Sequence, residues 1–221
     1  MVKLRLEREA IAMRVARELR DGDVVNLGIG IPTLCSQFVP EGQTVLYHSE
    51  SGVLGYGPMA ELGQEDIDLI NAGGQFLAPH PGMSFFSSAD AFAMIRGGHI
   101  DVAVLGAFQV SEQGDMANWM LPQRGVGNVG GAMDLAVGAR RIIVAMDHTD
   151  RSGAPKIVRE CSFPLTGTGC VDTIVTDIAV IEVSDEGLVL TEGAPGWEAA
   201  DVQALTEPTL TVSLDFGEMQ L

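Results

Sequence analysis

The chain has 221 residues, 46% of them hydrophobic and 5% aromatic, with 27 glycines and a formal charge of −17. That length and apolar fraction predict a single domain over 1–221 with a sizeable core. Six of the 13 basic residues fall in the first 20 positions, so the remainder sets 7 basic against 27 acidic side chains, a surface that excludes nucleic acid and anionic membranes as partners.

No run of 18 apolar residues occurs, so no transmembrane helix is expected. Glu7, Glu9 and Glu18 interleave the N-terminal arginines and no apolar signal core follows, so a targeting peptide is not expected either. Cys35, Cys161 and Cys170 are odd in number and form no C-x-x-C pair, which predicts reduced thiols in a cytoplasmic protein.

In chain order, Ile11, Val15 and Leu19 form one apolar stripe and predict an amphipathic helix over 3–20, ended by Asp21-Gly22-Asp23. A strand from Val24 runs into a glycine turn, and Pro32 sits where a helix begins. Further strands are predicted at 44–48, 67–71, 101–107, 141–147, 173–176, 179–183 and 187–190. Helices are predicted at 87–97, capped by Ser87 or Ser88 and stopped by Gly97-Gly98, and at 131–139. The runs 102–105 and 142–146 are continuously apolar and so read as strands buried on both faces. The fold class is therefore α/β: an open, largely parallel or mixed sheet covered by helices. The last dozen residues, poor in apolar side chains, are expected to fray or to dock on a partner.

Chemistry is expected at Glu50. The apolar run 44–47 ends just before it, and Gly52, Gly55 and Gly57 follow. A lone carboxylate where a buried strand ends and the chain breaks occupies the position at which open α/β sheets put their sites. Gly125, Gly127 and Gly130 imitate a dinucleotide fingerprint, with Asp147 in a distal acidic position, but Pro122 and polar residues precede them instead of a buried strand. The helix that follows offers free N–H groups to an anion or oxyanion whatever the ligand. The four histidines are scattered without metal-ligand spacing, and no G-x-S-x-G elbow is present. Asn26 and Gln109 each follow an apolar strand and read either as buried amides or as site residues.

Four segments then line up with one family: Asn26-Leu-Gly-Ile-Gly-Ile-Pro32, Ser49-Glu-Ser-Gly-Val-Leu-Gly55, the stretch 84–101, and Gly130-Gly-Ala-Met-Asp-Leu135. Together they resemble the family I coenzyme A-transferases, in particular the B (beta) subunit of 3-oxoacid CoA-transferases. The likeness extends over residues 5 to about 195.

The resemblance implies a CoA-transferase-like fold and a partner A (alpha) subunit, two A and two B chains assembling with the site near their interface. It implies coenzyme A as a substrate, with no cofactor and no metal. Glu50 is the implied nucleophile, carrying a glutamyl-CoA thioester, with the amide of Asn26 assisting. Gly130, Gly131, Ala132 and Met133 are the implied CoA-binding or oxyanion segment, and Ser51, Gly52 and Gln109 the implied substrate pocket. Succinyl-CoA with acetoacetate is the first substrate pair implied; 3-oxoadipate, acetate and butyrate are alternatives. An NAD-dependent oxidoreductase and a non-catalytic relative of the fold are alternatives from other classes.

This chain departs from the family pattern twice. Ser51 stands where the 3-oxoacid enzymes usually have Asn, and Gly74 where many relatives carry a lysine after Asn-Ala-Gly. The first puts acyl preference in question, and the second removes one positive contact for an anionic ligand.

Overall fold

The structure is a computed structural model that describes residues 3–57, 59–125 and 127–221. Its strands are β1 (Val24–Leu27), β2 (Leu46–Ser49), β3 (Val53–Tyr56), β4 (Ser84–Phe85), β5 (Ile100–Leu105), β6 (Gln109–Ser111) and β7 (Met116–Ala117). They continue with β8 (Ala139–Met146), β9 (Ile157–Val158), β10 (Thr173–Thr176), β11 (Ala179–Ser184), β12 (Gly187–Gly193) and β13 (Leu210–Glu218). The helices are α1 (Arg8–Ala16), α2 (Ile31–Leu34), α3 (Ser88–Arg96), α4 (Ala132–Gly138) and α5 (Ala199–Gln203). No described helix is long and apolar enough to cross a membrane.

Ten strands form one mixed sheet in the order β13-β12-β11-β10-β8-β5-β1-β2-β3-β4, and β7-β6-β9 form a small second sheet. The central strands β10, β8, β5, β1 and β2 are mutually parallel, while β3, β4 and β11 join antiparallel. The apolar runs of β5 and β8 divide their side chains between two layers, because successive residues of a strand point to opposite faces. Val102, Val104 and Ile143 pack with Ile11, Val15 and Leu19 on the α1 side. Ala103, Leu105, Ile142 and Val144 pack with Ile95 and Leu135 on the α3–α4 side. Helices on both faces are what a parallel sheet requires.

Local chemistry sets the helix ends. Ser87 caps α3 by accepting from the Asp90 N–H at 3.2 Å, and the Asp90 carboxylate accepts in return from the Ser87 N–H at 3.3 Å. Helix α1 is shorter than its sequence stripe predicts. Residues ahead of it are taken by the far side of the sheet: the Leu6 N–H donates to the Asp177 carbonyl at 2.9 Å and Arg5 Nη1 to the Asp177 carboxylate at 2.8 Å.

Two expectations are corrected. Residues 67–71 form no strand; only an isolated bridge pairs Ile70 with Phe76, and Ile67 is exposed. Asn71 Oδ1 accepts from the N–H groups of Gly73 and Gln75 at 2.9 and 3.0 Å, folding the chain back as an Asx turn before a ladder can form. The C-terminus does not fray but runs as β13 beside β12, Leu188 opposite Leu210 and Leu190 opposite Val212. It is anchored by the buried Met219, whose N–H donates to the Gly193 carbonyl at 2.7 Å.

Candidate active site

The C-terminal ends of β8, β5, β1 and β2 open side by side into a cleft of about 580 Å³, whose wall runs from Met146 through Leu105 and Leu27 to Glu50. Ligand sites of open parallel sheets lie at this end of the strands.

Glu50 is half-buried at the tip of the tight turn between β2 and β3, where Ser49 pairs with Val53 and the Gly52 N–H donates to the Ser49 carbonyl at 3.0 Å. The turn requires glycine at position 52. Its φ is +104°, and a Cβ there would lie 2.0 Å from the Phe86 carbonyl oxygen. The Phe86 N–H in turn donates to the Gly52 carbonyl at 3.0 Å, which clamps the turn to the segment ahead of α3. The Glu50 carboxylate reaches across to Gly131, the residue before α4: a Cβ on Gly131 would sit 2.8 Å from Glu50 Oε1. The first-turn N–H groups of α4 have no intrahelical acceptor and begin at this contact. The negative charge also acts on Tyr56, whose hydroxyl pKa is pushed up first by burial and then by Glu50.

Asn26 lies beneath the turn, fully buried on β1 in register with His48 on β2. Its Nδ2 lies 3.1 Å from His48 Nδ1 and donates to the His48 carbonyl at 3.3 Å. Burial pushes the His48 pKa down, and the ring stacks on Phe86 with centroids 6.1 Å apart. With Nδ1 accepting, the neutral ring carries its proton on Nε2. Asn26 Oδ1 and His48 Nε2 are both buried without a partner.

The structure thus brings Glu50, Gly130, Gly131 and Ala132 onto one wall and sets Asn26 just behind it. Met133 and Gly52 do not line the cleft. Ser51 is exposed, its hydroxyl meets Ser49 Oγ at 2.9 Å, and it does not line the cleft. Gln109 belongs elsewhere: it opens β6 in the small sheet, and its Oε1 accepts from the N–H groups of Ser162 and Phe163 at 2.9 and 3.2 Å. It fastens this loop and does not line the cleft, although Gly106, Ala107 and Phe108 just before it do. The Gly125–Gly130 loop follows a 3-10 turn at Pro122–Arg124, not a strand, and a Cβ on Gly127 would meet the Trp119 ring at 2.4 Å. Packing against Trp119 explains that glycine without a dinucleotide. The thiols are poor nucleophiles: burial pushes Cys35 up to about 12 and Cys161 and Cys170 to about 11, and none lines the cleft.

Sequence reasoning did not single out Arg8, Asn118 or Lys156, which also line the cleft. For Lys156 a signal existed: it is one of only seven basic residues outside the N-terminal twenty.

A glycine-clamped carboxylate at the exit of parallel strands, set against a helix start, stands where open α/β sheets place their ligand sites. Residues 8–204 match the family described as Coenzyme A transferase, and the chain belongs to that family. It is 49% identical to the B subunit of the succinyl-CoA:3-ketoacid coenzyme A transferase of Helicobacter pylori, over 94% of this chain and 100% of the relative. Similar likeness holds for the B subunit of the 3-oxoadipate CoA-transferase of Acinetobacter baylyi, 47% identical over 93% of this chain and 95% of the relative. It holds too for the beta chain of the acetate CoA-transferase of Escherichia coli, 48% identical over 95% and 96%. Among solved structures, an acyl-CoA transferase from E. coli O157:H7, in a thioester complex with CoA, superposes with a TM-score of 0.78 at 22% identity. All of this chain is covered, but it spans only 44% of that protein.

Proposed function

We propose that this chain is the B subunit of a 3-oxoacid CoA-transferase, with Glu50 as the covalent nucleophile. The observation that carries the reading is the Glu50 carboxylate held on the cleft wall against Gly131. Succinyl-CoA and acetoacetate are the first substrates on this reading, in keeping with the H. pylori relative.

A Glu50 oxygen attacks the thioester carbonyl of the acyl-CoA, and collapse of the tetrahedral adduct breaks the C–S bond. The products are an acyl-glutamyl anhydride and CoA thiolate. The thiolate attacks the glutamyl carbonyl, which forms the glutamyl-CoA thioester and expels the first acid as its carboxylate. A second carboxylate reverses the sequence and leaves as its CoA ester. No proton is transferred in any step, so no general base is needed, and the kinetics are ping-pong.

On this reading the backbone N–H groups of Gly131 and Ala132, at the start of α4 in the cleft wall, are the oxyanion donors, and one such donor is typically worth about 3 kcal/mol. Asn26 and His48 hold the strand end behind the nucleophile. An anhydride must be kept dry, and Ile29 in the cleft wall and Val129, between the lining residues Asn128 and Gly130, are 69% and 67% exposed. An A-type partner chain covering that apolar rim completes the site, in keeping with the names of the relatives, each of which is one subunit of its enzyme.

The test is Glu50→Gln assayed with the partner chain. Turnover should fall about a thousandfold or more, with thermal stability unchanged. Near-normal turnover by the variant would refute the reading.

A further inference from the structure

We propose that Lys156 forms a carboxylate subsite in the cleft that holds Glu50, so that the acyl donor, though not the 3-oxo acid that accepts CoA, carries a second, non-reacting carboxylate. This rests on the reading of Glu50 as the acyl-transfer residue and narrows its substrate class.

Two cationic side chains line the cleft, Arg8 and Lys156, in a chain of net charge −17. Neither forms an ion pair with any described residue. Arg8 is exposed at the start of α1, whereas Lys156 is half-buried where β9 begins, its N–H donating to the His148 carbonyl at 3.1 Å. Three carboxylates surround it, and two are committed elsewhere. Asp177 accepts from Arg5 Nη1 at 2.8 Å and from the His148 N–H at 2.7 Å. Asp150 accepts from Ser152 and Ala154. Asp147 is exposed, lines the cleft together with Lys156, and makes no ion pair with a described residue, so a guest carboxylate would meet Lys156 in competition with it. Despite all three, burial pushes the Lys156 pKa down. An ammonium drawn partly out of water with no fixed partner costs stability, and an anionic guest offsets that cost.

Besides Arg8, no other cationic side chain lines the cleft among the described residues. Ala72 lines it, and the neighbouring position 74 is a glycine at φ +74° with open space around it. Between the ends lie Leu27, Leu105, Gly106 and Ala107, an apolar and small-residue floor suited to methylenes. Lys156 is tied by its N–H to His148, just past the end of β8, and from β2 across β1 and β5 to β8 is three strand spacings, about 14 Å between backbones. That spacing leaves room for an acyl chain with a terminal carboxylate. The phosphates of CoA hang on a much longer arm that leaves from the sulfur.

The test compares wild type, Lys156→Met and Lys156→Arg in the complex with the partner chain, using succinyl-CoA and acetyl-CoA as donors. Lys156→Met should lower the succinyl-to-acetyl ratio of kcat/KM about tenfold or more, chiefly through KM, and Lys156→Arg should restore most of it. An unchanged ratio, including an equal loss on both esters, would overturn the subsite and assign Lys156 to the CoA handle or to packing. Calorimetric titration with free succinate and free propionate reads the subsite without turnover. Wild type should bind succinate more tightly and Lys156→Met should lose the difference, and equal affinities in wild type would overturn the proposal. Succinate selectivity without any transfer would instead locate the failure in the role of Glu50.

Discussion

His148 and His48 are both buried to within 1% of complete burial, at the exits of parallel strands, yet they are treated in opposite ways. On the β8–β10 side both ring nitrogens of His148 are met, Nδ1 by Thr176 Oγ1 at 3.0 Å and Nε2 by Thr206 Oγ1 at 2.9 Å. Buried Arg14, too, is bonded by Glu192 at both Nε and Nη2 and by Glu18 at Nη1. On the β1–β2 side Asn26 Oδ1, Tyr47 Oη and His48 Nε2 are buried with no partner, and among the described residues these are the only such side-chain atoms. Leaving such a group unpaired costs about 1–3 kcal/mol. The flank that carries Glu50 therefore gives up stability that the other flank keeps, as expected where polar groups are held ready for chemistry.

The comparison can be tested first through acid. Burial pushes His148 down to about 4; the charges of Arg5 and Lys156 act in the same direction and Asp177 opposes them. The folded state thus refuses a proton that the unfolded chain takes up near pH 6.5, so stability is whole above that value and falls as pH drops toward 4. The shift is worth about 3 kcal/mol, measurable by denaturant melts at pH 7 and pH 4. His148→Gln should flatten that slope. A slope unchanged in the variant would show that the paired flank does not depend on a neutral His148.

Gly131→Ala is the next largest effect and bears on the other flank. The backbone at 131 is right-handed at φ −68°, so alanine fits the chain, but its methyl would displace the Glu50 carboxylate. The expected result is a loss of roughly tenfold to a hundredfold in kcat with little change in Tm. A large fall in Tm with kcat retained would mean that the contact serves folding alone. The smallest effect is expected at Ser51, whose hydroxyl meets Ser49 and which does not line the cleft. Ser51→Asn should change kcat/KM by less than about threefold, since exposed substitutions rarely exceed about 0.5 kcal/mol. A tenfold change in preference among acyl-CoAs would put position 51 in the pocket after all.

The parts of this organisation that were legible in the sequence are those written in local pattern. The runs in β5 and β8 announce strands buried on both faces, and the strand, carboxylate and glycines around Glu50 announce a site at a strand exit. Ser87 and Gly97 announce the ends of α3. Residues 67–71 misled because an apolar run says nothing about Asn71 turning the chain behind it. Strand β13 was hidden because most of its side chains face solvent, and pairing with β12, not burial, makes it a strand. The loop-fastening bonds of Gln109 were not legible, because an amide after an apolar strand looks alike whether it faces a cleft or fastens a loop. Lys156 could not be tied to Glu50 at all, since only the parallel strand order brings residues so far apart in sequence to one cleft.

The central claim is that Glu50 carries the acyl and CoA groups in turn. It is tested most directly by incubating the full complex with an acyl-CoA, trapping with borohydride and weighing the peptides. A glutamyl thioester reduces to the alcohol, so the peptide containing Glu50 should lose about 14 Da, in an acyl-CoA-dependent manner and not in Glu50→Gln. An unmodified Glu50 peptide, or the same mass change on another carboxylate, would contradict the account.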